Sequence, residues 1–159
     1  MTAPAIRAEA TGGCLCGAVR FAARDVPLTA GVCHCEMCRR WTGSALIEVS
    51  LPDAQIDWQG EGSIARRQTS EWGQRGWCAD CGSALFFRMT AENEFSGGYD
   101  IPLGLFDDPN GFRITHEIYI DHKPDSFAYA GQDDRKLLTR ADCVAKFPLL
   151  DSEQARSKP

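Results

Sequence analysis

The sequence predicts a mainly-β domain built from packed antiparallel sheets with short helical pieces. Short runs of alternating apolar and polar residues recur along the chain, glycines and turn residues separate them, and helical patterns are brief. With 159 residues, 43% of them hydrophobic and 25% charged, the chain has the size and composition of one globular domain.

The predicted elements follow one another as short segments. The clearest strand candidate, 18–22, alternates with a period of two. Less regular strand candidates follow at 45–49, 64–68, 84–89 and 115–120. The run 107–111 (DDPNG) is a strong turn signal, and helical patterns are confined to 36–41 and 136–141. These elements place the domain at 12–147, between a disordered arm at 1–11 and a tail at 148–159.

Composition and charge exclude several classes of function. The chain has 22 acidic and 17 Lys or Arg residues, for a net charge of −5, so it carries no basic surface for nucleic acid. No apolar run approaches the length of a membrane span, and the first ten residues contain no apolar core of a signal peptide. These features predict a cytoplasmic protein.

Eight cysteines are the most informative residues, because disulfides are rare in a reducing compartment and clustered cysteines there bind metal or take part in catalysis. Seven of them fall in three tight groups, and Cys143 stands alone in an apolar stretch that predicts a buried, inert thiol. The groups are Cys14 and Cys16; Cys33, Cys35 and Cys38; and Cys78 and Cys81.

The spacing predicts two zinc ions per chain in two different sites. Two cysteines one or two residues apart supply half of a tetrahedral site. Joining the first and last pairs therefore closes a four-cysteine structural site, whereas the central three can meet one ion by themselves. A zinc ion with three protein ligands keeps an open position, which catalysis requires.

Other interpretations of the cysteines stay open. The two pairs could be buried apolar residues, and the central group could be a redox centre that uses Cys35 and Cys38. His34 lies between two proposed ligands and could complete the open site, although alternation in an extended segment turns its side chain away from them.

The cysteine pattern resembles the glutathione-dependent formaldehyde-activating (GFA / CENP-V) family. The resemblance covers about 12–130, and the segments that carry it are 13–20 (GCLCGAVR), 33–40 (CHCEMCRR), 76–83 (GWCADCGS), 104–109 (GLFDDP) and 116–120 (HEIYI). It implies a β-tent fold, a structural zinc on the four paired cysteines and a catalytic zinc on Cys33, Cys35 and Cys38. It also implies carbon–sulfur lyase chemistry, in which glutathione adds to formaldehyde to give S-(hydroxymethyl)glutathione.

The expected partner is therefore a small-molecule thiol such as glutathione. Arg39 and Arg40 follow the central cysteines and are candidates to bind a substrate carboxylate, and His116 is the candidate general acid or base. Trp41 and Trp77 are candidates for the walls of the site. The alternative function is a non-catalytic zinc module that binds a protein partner, although such a module is expected to close both sites.

Overall fold

The computed structural model describes residues 3–131 and 134–151. Its eleven strands are β1 (Ile6–Gly13), β2 (Arg20–Pro27), β3 (Thr29–Cys33), β4 (Leu46–Pro52), β5 (Ile56–Gln59), β6 (Ile64–Gln68), β7 (Gly73–Cys78), β8 (Ala84–Met89), β9 (Gly98–Pro102), β10 (Arg113–Ile118) and β11 (Lys136–Leu138). The two α-helices are α1 (Glu36–Thr42) and α2 (Arg140–Lys146), and single 3-10 turns connect several strands. The predicted mainly-β fold with short helical pieces is confirmed.

The strands form two sheets that share a core. The smaller sheet has the order β1-β2-β5, and the larger has the order β11-β10-β3-β4-β9-β8-β7-β6. Side chains from both sheets meet between them, where Trp58 of the smaller sheet packs against Phe86 and Tyr99 of the larger sheet, with ring centroids 5.6 Å apart in each pair. Burial of these large apolar surfaces stabilises the pairing of the sheets.

Two strand pairings differ from the expected antiparallel arrangement. Strand β10 lies between β3 and β11 and is parallel to both. Long connections separate these strands along the chain, and they can return a strand in either direction, unlike a tight hairpin turn. Antiparallel pairing was therefore predictable only between close neighbours, such as β6, β7 and β8.

The expected disordered arm at 1–11 is wrong for residues 6–11, which belong to β1 and pair with β2. The residue pattern did not indicate a strand because only one of the eight β1 residues is buried and four are exposed, so the pairing of β1 depends on the backbone. The Arg7 guanidinium also donates to the carbonyl oxygens of Asp108 and Asn110, each at 2.7 Å, and fixes the strand to the predicted turn at 107–111.

The C-terminal segment also differs from its expected form. Residues 136–138 of the predicted helix at 136–141 form β11, and α2 begins only at Arg140. The helix start is set by a capping box, in which Thr139 and Asp142 bond to each other's backbone N–H groups. Residues 148–151 of the expected tail form a 3-10 turn, and 152–159 lie outside the described residues. No helix in the described ranges is long and apolar enough to cross a membrane.

Candidate functional site

The four paired cysteines meet at one place between the ends of distant strands. Cys14 and Cys16 follow β1, and Cys78 and Cys81 belong to the end of β7 and the turn after it. All four sulfurs lie within 4.8 Å of one another, with 3.6 Å from Cys14 Sγ to Cys16 Sγ and 3.8 Å from Cys16 Sγ to Cys78 Sγ. The structure therefore joins the two pairs that sequence spacing joined.

The central cysteines form a second group. Cys33 ends β3, and Cys35 caps the N-terminus of α1, where its sulfur accepts from the backbone N–H of Cys38 at 3.4 Å. The three sulfurs lie within 4.8 Å of one another, and no His, Cys, Asp or Glu of the described ranges adds a fourth ligand atom to the group. The loop from β3 to α1 thus gathers three ligands within six residues of chain.

Both groups fit zinc. Zinc–sulfur bonds of about 2.3 Å in a tetrahedron place the sulfurs about 3.8 Å apart. The sulfur–sulfur distances of 3.6 Å and 3.8 Å in the four-cysteine group are close to this value. In the three-cysteine group the thiols of Cys33 and Cys38 donate to Cys35 and lower its pKa to about 3, whereas contact with Cys35 raises the pKa of Cys33. Three converging cysteine sulfurs, one of which ionises readily, are suited to a soft divalent cation.

The three-cysteine group opens into a cavity of about 710 Å³. All three cysteines line it, and so do ionisable side chains from the large sheet, among them Glu48, Arg75 and His116. Much of the remaining wall is apolar and includes Trp72, Phe87, Tyr99 and Phe147. Such a largely apolar cavity with a few converging polar groups is typical of a small-molecule site.

Comparison with known proteins gives the family. The sequence pattern described as glutathione-dependent formaldehyde-activating enzyme matches residues 9–122 of this chain. The chain belongs to this family. A Schizosaccharomyces pombe protein described as an uncharacterized lyase is 28% identical over 124 residues, which cover 78% of this chain and 88% of the relative. A crystal structure of a Rhodobacter sphaeroides protein aligns with a TM-score of 0.49 and 21% identity, over 61% of this chain and 87% of that one.

Part of the cavity comes from outside the range that matches the glutathione-dependent formaldehyde-activating family. Strand β11 contributes Lys136 and Leu138, and α2 with the turn after it contributes Cys143, Lys146 and Phe147. The solitary Cys143 is buried, as expected, yet it lies on the wall of the cavity.

Arg75 is the cavity residue that the sequence analysis missed. Its side chain is 3% exposed, its guanidinium packs against the rings of Trp41 and Phe87, and its Nη2 donates to Cys38 Sγ at 3.6 Å. Within the described parts of the chain, no carboxylate lies within 4.0 Å of it. Arg75 is therefore placed to offset negative charge on the sulfurs, and its burial beside Cys38, which only the fold shows, marks it as part of the site.

The two arginines proposed from the sequence do not line the cavity. Arg40 is exposed and pairs with Glu36 at 2.8 Å along the helix, and Arg39 Nε donates to the backbone oxygen of His34 at 3.2 Å. Helix α1 directs the side chains of both arginines away from the cavity. They lie one and two positions beyond Cys38, and successive residues on a helix point in different directions. Arg75, Lys136 and Lys146 are the cationic side chains on the cavity wall.

His116 lies on the cavity wall, whereas the other aromatic candidates do not. Its Nδ1 is 3.0 Å from Thr115 Oγ1, and burial together with Lys136 and Lys146 lowers its pKa. Trp41 packs against Arg75 behind the cavity, and Trp77 is half-buried on β7. Trp72 takes the place on the wall that the sequence analysis proposed for Trp77.

His34 lies behind the three-cysteine loop. It is fully buried and donates through Nε2 to Glu117 Oε2 at 2.7 Å, and Glu117 pairs in turn with Arg135 Nε at 3.1 Å. The His34 ring also lies beside the rings of Phe127 and Tyr129. These contacts fix the middle residue of the segment that carries Cys33 and Cys35, and they agree with a structural role for His34.

Proposed function

We propose that the chain is a zinc-dependent carbon–sulfur lyase that acts on a thiol–aldehyde adduct, with S-(hydroxymethyl)glutathione as the adduct to test. The observation that carries the proposal is the contrast between the two cysteine groups. Four sulfurs complete one group, whereas the other has three and faces a cavity. A three-ligand metal site beside a cavity leaves room for a substrate sulfur.

The residues that would hold the catalytic zinc are Cys33, Cys35 and Cys38. When bound, the metal would supply Lewis acidity that favours the thiolate form of a substrate thiol. The protein would contribute the rest: the apolar wall excludes water from the reacting atoms, and Arg75 offsets the charge of a thiolate that enters beside three others. The family match and the lyase description of the yeast relative support this reaction class. A reaction that needs reduced thiols also favours a cytoplasmic location.

The decisive experiment is an exchange measurement. Zinc-loaded protein is added to an equilibrium mixture of glutathione, formaldehyde and their adduct, and the rate of exchange is measured by NMR. We expect the protein to accelerate exchange and chelator-treated protein to lose the effect. Equal exchange rates with and without zinc-loaded protein would contradict the proposal and favour the alternative, a non-catalytic zinc module that binds a protein partner.

The role proposed for Arg75 gives a separate prediction. In zinc-loaded protein, Arg75→Met is expected to weaken glutathione binding about tenfold or more, because an interaction with a charged group contributes about 1.5–3 kcal/mol. The variant removes the buried cation that faces Cys38 while keeping an apolar side chain between Trp41 and Phe87. Calorimetry with glutathione measures the change. Arg24→Met, which removes an exposed arginine paired with Asp57, is the control and is expected to bind like wild type. Equal affinity in the Arg75 and Arg24 variants would exclude this role.

A further inference from the structure

Three neighbouring strands place a carboxyl group and an imidazole, both on the cavity wall, on either side of a glycine. Gly31 of β3 pairs with His116 of β10 on one side and with Glu48 of β4 on the other. Paired residues in a sheet project their side chains to the same face, so Glu48 and His116 point to the same side. Both line the cavity.

The lack of a side chain at Gly31 lets the His116 imidazole lie over β3, on the face that it shares with Glu48. A Cβ atom at this position would lie 2.4 Å from Nε2 of His116, so the imidazole occupies the space above the glycine. Cys33 lies two residues further along β3 and therefore faces the same side as Gly31. The three-cysteine group, the imidazole and the Glu48 carboxyl thus share one surface of the cavity.

Glu48 has no ion-pair partner within 4.0 Å among the residues that the structure describes. The charged or titratable groups around it are Asp100 on β9, Arg75 on β7, His116 on β10 and Cys35 at the start of α1. Burial, followed by Asp100, raises the pKa of the Glu48 carboxyl well above its usual range, whereas burial lowers the pKa of His116. Opposite shifts in two neighbouring groups are typical of an acid and a base held in one site.

We infer that Glu48 is the catalytic residue that transfers the proton to and from the oxygen of the substrate aldehyde. This inference rests on the proposed function. In the direction of synthesis, the substrate thiolate attacks the carbonyl carbon, the carbon–sulfur bond forms while the carbonyl π bond breaks, and the Glu48 carboxylic acid gives its proton to the oxygen. The proton released when the substrate thiol ionises returns Glu48 to the acid form. In the direction of cleavage, the Glu48 carboxylate takes the hydroxyl proton, the carbonyl double bond forms, and the carbon–sulfur electron pair leaves with the sulfur as a thiolate.

Glu48 suits this task better than His116 because of the protonation state that each side chain favours. A proton donor at neutral pH must hold a proton, and the lowered pKa of His116 leaves its imidazole neutral. Burial raises the pKa of the Glu48 carboxyl, so the acid form that can donate is favoured more than it is in an exposed glutamate. The sequence also carried a signal for Glu48, because it is the single acid within the apolar run 45–49.

The test compares Glu48→Gln with Glu9→Gln, which makes the same chemical change at an exposed position on β1. The exchange rate of the glutathione–formaldehyde adduct, the affinity for glutathione and the zinc content are measured for each zinc-loaded protein. We expect E48Q to lose about 100-fold or more of the catalysed rate, as removal of a general acid does, while it retains zinc and glutathione affinity. E9Q is expected to match wild type.

A second variant separates proton transfer from a structural role. Glu48→Ala leaves space in the cavity, and added formate is expected to restore part of its exchange rate because a small carboxylic acid can replace the missing group. An E48Q rate equal to that of E9Q, or an E48A rate that formate leaves unchanged, would overturn the inference. If the wild-type protein does not accelerate exchange, the proposed function is contradicted. If the wild-type protein accelerates exchange and E48Q does so equally, only the role of Glu48 is contradicted.

Discussion

The Cys35→Ala variant is expected to fold, to bind one zinc ion fewer than wild type, and to exchange the glutathione–formaldehyde adduct no faster than the uncatalysed reaction. Cys35 supplies the sulfur at the centre of the hydrogen bonds within the three-cysteine group and lies on the cavity wall. Two sulfurs cannot hold zinc in the geometry of a three-ligand catalytic site. The four-cysteine group lies elsewhere and keeps its ligands.

Metal analysis, circular dichroism and the exchange rate together check this expectation. Cys143→Ala is the matched control, because Cys143 lines the same cavity but lies outside both cysteine groups. Wild type and Cys143→Ala are each expected to carry two zinc ions when purified without chelator, and Cys35→Ala one. Full zinc content in Cys35→Ala would contradict zinc binding through Cys35, and loss of its fold would show that the three-cysteine group has the structural role.

The Cys81→Ala variant is expected to lose the folded state. The four-cysteine group connects the end of β1 to the turn after β7, so a metal bound there would close a long loop through the middle of the fold. Binding of a structural zinc contributes about 10–16 kcal/mol in small zinc domains, comparable to the whole stability of a typical domain, about 5–15 kcal/mol. Removal of one ligand gives up much of that stabilisation.

Thermal unfolding followed by circular dichroism measures the effect. Ser83→Ala is a useful comparison, since Ser83 Oγ lies 3.2 Å from Cys81 Sγ and accepts from the backbone N–H of Leu15, yet it is no proposed ligand. We expect Ser83→Ala to stay folded with a modestly lower melting temperature. A melting temperature for Cys81→Ala as high as that of Ser83→Ala would rule out a structural metal at this group.

The cysteine groups could be predicted because the cysteines within each group lie close together along the chain. Cys33, Cys35 and Cys38 are brought together by a loop of six residues, and each of the remaining pairs is held by one tight turn. Only the joining of Cys14 and Cys16 to Cys78 and Cys81 needed a long-range argument, and the count of ligands that zinc requires supplied it.

The rest of the cavity could not be predicted because sheet order brings it together. Glu48 and His116 are 68 positions apart and become neighbours only because β3 lies between β4 and β10. Arg75 reaches Cys38 from β7, across the interior of the protein. Arg39 and Arg40 were predicted to bind substrate because they follow Cys38 directly in the sequence. Adjacent residues on a helix, however, do not project from the same face.

The position of β10 between two parallel neighbours has a consequence for how the chain reaches its native state. Its partner β3 is complete more than eighty residues earlier in the chain, as the register between Thr29 and Arg113 shows. Contacts between segments so far apart close large loops and form slowly. A chain emerging from the ribosome therefore exposes Cys33, Cys35 and Cys38 for a long interval before β10 and α2 cover them. During that interval the thiols are open to oxidation and to the wrong metal, so the supply of reducing agent and zinc during synthesis would govern the yield of active protein.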